Sequence, residues 1–302
     1  MNRTISASSP GRTTPPPWSA RGVLVFLAAL VAFELLVRQY LRVFEFPVTV
    51  ISNLIPEALM NGPAAKNAAG LLIVLGVRMA MLFGLIHFIT VHWKSSVRQT
   101  GIDLTHLRRD LYLTLVFVLF LAAAAGTFWL AARFLFQTDI SRFAVPGGET
   151  LDHFRSPAYT IVFFLTACVC APVVEELVFR GFVYPPIRNH LKMLFGTSGV
   201  LFAILINTLL FTFFHAQWGR PEIYPETVSA LFSSGMTRET LSGLAAAWFP
   251  LLLPFTGGIL FCALYQITGR ITAPVLLHAA GNTGLLVLTL IHACTVSNPP
   301  LS

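Results

Sequence analysis

Long apolar runs separated by short polar breaks dominate the chain. They fall at about residues 22–40, 69–91, 111–136, 159–184, 198–215, 246–267 and 272–293. A helix needs roughly 20 apolar residues to cross a hydrocarbon core of ~30 Å. In lipid every backbone N–H and C=O must be met internally, so continuous runs of this length read as helices. The pattern predicts an all-α membrane protein, a polytopic bundle of about seven transmembrane helices. Residues 1–21, rich in Ser, Thr and Pro, predict a mobile tail, and residues 296–302 a second short one. The first run follows Arg3, Arg12 and Arg21 but lacks a small-residue cleavage pattern, and is expected to be an uncleaved anchor.

Local signals refine these elements. Four alanines at 122–125 would let a neighbouring helix approach closely. Pro172 either kinks the fourth span or opens a new helical segment, which would place Glu175 in a first turn. Pro254 and Gly257–Gly258 interrupt the sixth span, where a kink is expected. Thr272 is a candidate N-cap for the seventh. Residues 216–241 form a longer connection, of which 226–240 could be an interfacial helix.

Composition agrees with this picture. Of 302 residues, 55% are hydrophobic and 11% charged, against about 25% charged in soluble domains. The net charge of +7 is scattered along the chain, which suits basic loops and argues against nucleic-acid binding. Local density of basic residues, with Lys94 and Arg108–Arg109 flanking the second and third runs, predicts a cytoplasmic N-terminus. The setting expected is a bacterial inner membrane. Cys168, Cys170, Cys262 and Cys294 lack zinc or disulfide spacing and read as small fillers.

Against this background the stretch from Ala171 to Phe182 stands out. Glu175, Glu176 and Arg180 interrupt an otherwise apolar run. Each charge at a helix centre costs roughly 3 kcal/mol on insertion scales, so a role must offset the cost. Glu176 and Arg180 are four apart with Glu first, the favourable orientation for a pair on one helix face. Glu175 lies about 100° around the helix, on a surface without a local countercharge, and is the candidate general base. The competing reading is a structural clasp between helices.

Polar groups elsewhere join it. His215 ends the fifth run, after Phe211-Thr212-Phe213-Phe214, in a segment otherwise apolar except for Asn207, Thr208 and Thr212. His278 and Asn282 are four apart on the seventh, separated by Ala279, Ala280 and Gly281. Two donors on one face of a dry site stabilise a developing oxyanion; alternatively they make a packing hydrogen bond. Arg78, the odd charge of the second run, is expected to pair with Glu34 or with the Glu175/Glu176 pair rather than bind a substrate carboxylate. Glu34 and Arg38 are expected to pair with each other.

The three elements together resemble the signature of the CPBP family of intramembrane proteases, also called the Abi or CAAX-protease family. Its motifs are Glu-Glu-x-x-x-Arg, Phe-x-x-x-His and His-x-x-x-Asn/Asp, in that order on three helices. They stand here as Glu175-Glu176-Leu177-Val178-Phe179-Arg180, Phe211-Thr212-Phe213-Phe214-His215 and His278-Ala279-Ala280-Gly281-Asn282. The resemblance covers residues 160–284 and implies a bundle enclosing a polar catalytic cavity. It divides the chain into N-terminal helices over 22–157 and a catalytic core over 158–295. It implies endopeptidase activity, with Glu175 and His215 activating water, His278 and Asn282 forming the oxyanion hole, and Glu176 and Arg180 shaping the site. The partners implied are the bilayer and a membrane-associated peptide or protein, such as a CAAX-like tail, a peptide precursor or a sorting signal.

Two alternatives stay open. Glu175, His215 and His278 could form a two-histidine, one-carboxylate zinc site, although no His-Glu-x-x-His helix is present. A cofactor-free site is the expectation, because a base and donors suffice for acyl transfer. Alternatively, Glu175, Glu176 and Arg180 could be the relay of a proton-coupled transporter, but no internal repeat accompanies them.

Overall fold

The computed structural model describes residues 19, 21–25, 63–92, 94, 96–136, 153–215 and 238–297. The Glu34–Arg38 pair, most of the first run and residues 216–237 lie outside them. The described residues are helical: α1 (Pro63–His87), α2 (Leu107–Phe136), α3 (Pro157–Phe163), α4 (Ala171–Glu176), α5 (Tyr184–His215), α6 (Arg238–Thr268) and α7 (Thr272–Ser297). Among the described residues, four stretches are long and apolar enough to cross a membrane: Ala68–Val91, Pro157–His215, Leu251–Thr268 and Thr272–Ile291. Their outward faces carry many large apolar side chains, among them Phe83, Ile161, Leu201 and Leu252, as a lipid-facing surface requires.

Prolines shape the central helical run. Before Pro172 the helix widens into a π-type turn over Phe164–Cys170, and before Pro185–Pro186 into another over Leu177–Val183. A proline lacks an N–H and its ring crowds the carbonyl four residues back. Widening the turn moves the ladder to the fifth residue and relieves that crowding. Thus the Ala171 N–H bonds to Thr166 O, and the Tyr184 N–H to Phe179 O. Because Cys170 keeps right-handed helical angles (φ −70°, ψ −46°), the backbone passes through Pro172 without a fresh start. Glu175 therefore does not occupy the first turn of a new helix, contrary to one sequence expectation.

The run also extends past Tyr184, where the fourth span was expected to stop, because the second wide turn accommodates both prolines. It breaks at Gly196 (φ 60°, ψ −135°), a conformation that a side chain would strain. The chain returns from there as the long arm of α5 that ends in His215.

Three other expectations change. α6 is one helix through Pro254 and Gly257–Gly258, so these residues do not divide it. Thr272 is already helical, and its hydroxyl donates to Asp103 O (3.1 Å) rather than capping α7. Ala122 and Ala123 are exposed, so among the described residues no helix closes over them. The four cysteines are free, and three of them are buried.

The core lies between α4, the following wide turn, α5, α6 and α7. Leu177, Phe182, Val183, Tyr184, Ala203, Cys262, Leu264 and Leu277 are all but sealed. At one end the loop before α2 is tied down. Arg270 meets both carboxylate oxygens of Asp110, with Nε to Oδ2 at 3.0 Å, and the Ile271 N–H donates to Gly101 O. Hydrogen bonds from Thr105, its backbone N–H first, hold the half-buried Asp103 carboxyl down at about 2.

Candidate active site

Glu176 and Arg180 are one helical turn apart and fully buried, 0% exposed, with Arg180 Nη1 donating to Glu176 Oε1 at 3.1 Å. A charge sealed from water needs every available partner. Arg180 Nη2 donates to Gly258 O on α6 (3.1 Å), and the guanidinium lies 4.4 Å from the centre of the Phe211 ring and 5.2 Å from that of Phe261. Such contacts are worth about 2 kcal/mol or more when desolvated. The approach to α6 depends on Gly258 being bare, because a Cβ there would come within 3.0 Å of the Thr208 methyl.

His278 is the third member of this group. Its Nδ1 lies 3.0 Å from Glu176 Oε1, and its ring stacks on Phe261 at 4.8 Å between centroids. Glu176 Oε1 thus lies within hydrogen-bond reach of both the guanidinium and the imidazole. The pairing of Glu176 with Arg180 expected from spacing is present, and the same carboxylate also orients a histidine 102 residues away.

Glu175 faces elsewhere, as the 100° offset requires. Its countercharge comes from another helix, and the pairing expected of Arg78 with the Glu175/Glu176 pair is borne out. Arg78 Nη1 on α1 donates to Glu175 Oε1 at 3.0 Å. The other oxygen, Oε2, lies 3.4 Å from His215 Nε2 and 3.9 Å from His278 Nε2. It is buried and takes no hydrogen bond among the described residues. His215 Nδ1 lies 2.8 Å from Phe211 O. A carbonyl only accepts, so Nδ1 carries the proton and Nε2 is directed at the carboxylate.

Asn282 lies one turn beyond His278 on α7, and its amide donates to Ala167 O at 2.7 Å. In a regular helix that carbonyl would accept the Ala171 N–H, which the wide turn has moved to Thr166 O. The next candidate donor, Pro172, has none. One N–H of the carboxamide is thereby fixed and the other is left over. Glu175, Glu176, Arg180, His215 and His278 are joined by the contacts above, and Asn282 is the neighbour on the His278 face.

Some roles were not read from the sequence. Phe211, named there only as the opening of the second motif, touches Arg180, His215 and His278 and is the hub between them. Asn207 donates to Phe179 O (2.9 Å), supporting the second wide turn, and its Oδ1 lies 3.3 Å from Cys262 Sγ. Asn207, Phe211 and His215 recur every four residues on one face of α5, a signal legible in the chain. Gly258 was visible only as half of a glycine pair. Glu175, His215 and His278 share donor types with zinc sites, but as placed no group of three His, Cys, Asp or Glu among the described residues could hold a metal ion.

Residues 157–284 match a family model described as type II CAAX prenyl endopeptidase Rce1-like. The segment contains Glu175, Glu176, Arg180, His215, His278 and Asn282, and the resemblance seen in the sequence is borne out over it. That family is one of CAAX-type membrane proteases. No curated protein and no solved structure matches the chain.

Proposed function

We propose that the chain is an intramembrane endopeptidase of glutamate type, acting on a peptide bond near the membrane surface. The observation that carries this reading is Glu175 Oε2, a buried carboxylate oxygen with no hydrogen bond among the described residues, facing the Nε2 atoms of two histidines. A water between Glu175 and His215 would lose its proton to this pair as its oxygen attacks the scissile carbonyl carbon. The electron pair of the C=O bond moves to oxygen, where His278 Nε2 and the free N–H of Asn282 can donate. His278 Nδ1 already lies against Glu176, so a donor at Nε2 requires the doubly protonated ring, which the carboxylate behind it accommodates. Collapse of the tetrahedral intermediate breaks the C–N bond, and the proton held by Glu175 and His215 passes to the leaving amine.

Glu176 and Arg180 hold His278 and the contact of the second wide turn with α6 rather than touch substrate. Water must reach this site through lipid, so the reading includes a polar cavity, seven spans and a cytoplasmic N-terminus. A farnesylated reporter with a CAAX-type tail is the first substrate to test. Glu175→Gln should lower cleavage by at least about 10³-fold, and Asn282→Ala by about 10²-fold, with both proteins accumulating in the membrane. Cleavage should persist in EDTA. Normal processing by Glu175→Gln would overturn the proposal, and loss of cleavage in EDTA that zinc restores would replace it with a metalloprotease.

A further inference from the structure

Arg78 is the one Asp, Glu, Lys or Arg between Ala68 and Val91, a stretch of mean hydropathy 2.3. A cation in the middle of such a helix is costly and needs a partner. It has one in Glu175, 97 residues away, and the adjacent Met79 Sδ lies 3.6 Å from Cys170 Sγ, so the two helices meet at this level. Arg78 also lies outside the segment 157–284 that carries the family match.

The geometry of the contact is selective. A clasp would engage both carboxylate oxygens, as Arg270 does with Asp110. Arg78 engages only Oε1, leaving Oε2 toward both imidazoles. Without that anchor the carboxylate can rotate and offer either oxygen, or neither, to the water it must deprotonate. We propose that Arg78 is a positioning residue for the hydrolysis, fixing which oxygen of Glu175 acts as base and balancing its charge. This rests on the endopeptidase reading above and brings an N-terminal helix into the active site.

The test uses the full chain in proteoliposomes with the farnesylated reporter. Arg78→Ala should lower kcat by about 100-fold, the usual effect of a misplaced catalytic group, with KM changed less than about twofold. Arg78→Lys should retain more activity than Arg78→Ala. The Arg78 side chain is 31% exposed, so added methylguanidinium should restore Arg78→Ala by about tenfold or more while leaving Glu175→Ala inactive. A role in packing alone would not respond to a free guanidinium. Full activity of Arg78→Ala beside an inactive Glu175→Ala overturns this inference and leaves the endopeptidase reading intact. A raised KM with unchanged kcat also overturns it, making Arg78 a substrate anchor. A wild-type chain idle on the reporter overturns the reading beneath it.

Discussion

Two buried arginine–carboxylate pairs hold this bundle, and they are finished differently. At the loop end, Arg270 meets both oxygens of Asp110, and its backbone carbonyl takes the Thr268 hydroxyl (3.0 Å). In the middle, Arg180 meets one oxygen of Glu176, while Glu176 Oε2, Arg180 Nε and Glu175 Oε2 are buried with no hydrogen bond among the described residues. An orphaned buried polar atom costs about 1–3 kcal/mol, more when charged. The first arrangement is complete, as befits a fastening. The second leaves unmet capacity beside Glu175 Oε2, the oxygen that faces both histidines.

The sharpest way to test this contrast is to replace each pair by apolar residues of similar size. Asp110→Leu with Arg270→Met should leave the reporter activity of the folded protein within about threefold, because well-packed apolar groups often substitute for a closed ion pair. Glu176→Leu with Arg180→Met should abolish cleavage, because His278 loses its anchor. Equal activities in the two double variants would erase the distinction. Single substitutions come next in size. Arg270→Met and Arg180→Met each leave a carboxylate stranded, and each should cost about 3–5 kcal/mol, read as a fall in Tm in detergent. The smallest effect belongs to Gly258→Ala. Helix propensity favours Ala by about 1 kcal/mol, but crowding against Thr208 costs about 1–3 kcal/mol. The net should be a loss of about 1 kcal/mol that Thr208→Ala relieves; a stabilised Gly258→Ala would show that α5 and α6 can separate freely.

What the chain discloses by itself is what lies within one helical turn or one apolar run. Glu176 with Arg180 and His278 with Asn282 could be paired by counting residues, and the matching motif order pointed to their convergence. The partner of Arg78 could be narrowed only to Glu34 or the Glu175/Glu176 pair, and that of Arg270 could not be read at all. They lie 97 and 160 residues off, and an arginine in an apolar run announces a need without naming what meets it. The choice between the two candidates for Arg78 was closed to the sequence for the same reason, since the countercharge of Glu175 comes from another helix. The wide turns were hidden too. Pro172 signals a lost N–H, but whether the helix kinks, restarts or widens depends on neighbours able to take the displaced carbonyls. Here Asn282 takes the carbonyl freed before Pro172, while Asn207 adds a second donor to Phe179 O beside the Tyr184 N–H.

The turn before Pro172 has a consequence for anyone redesigning this bundle. Replacing Pro172 with a strong helix former would look like routine stabilisation, because it restores a missing rung of the backbone. Yet an α-helical rung at Ala171 would reclaim the Ala167 carbonyl, and the Asn282 carboxamide would lose the peg on which it hangs. An irregularity in one transmembrane rod thus serves as the template for a side chain on another, and tidying the first would blunt the second.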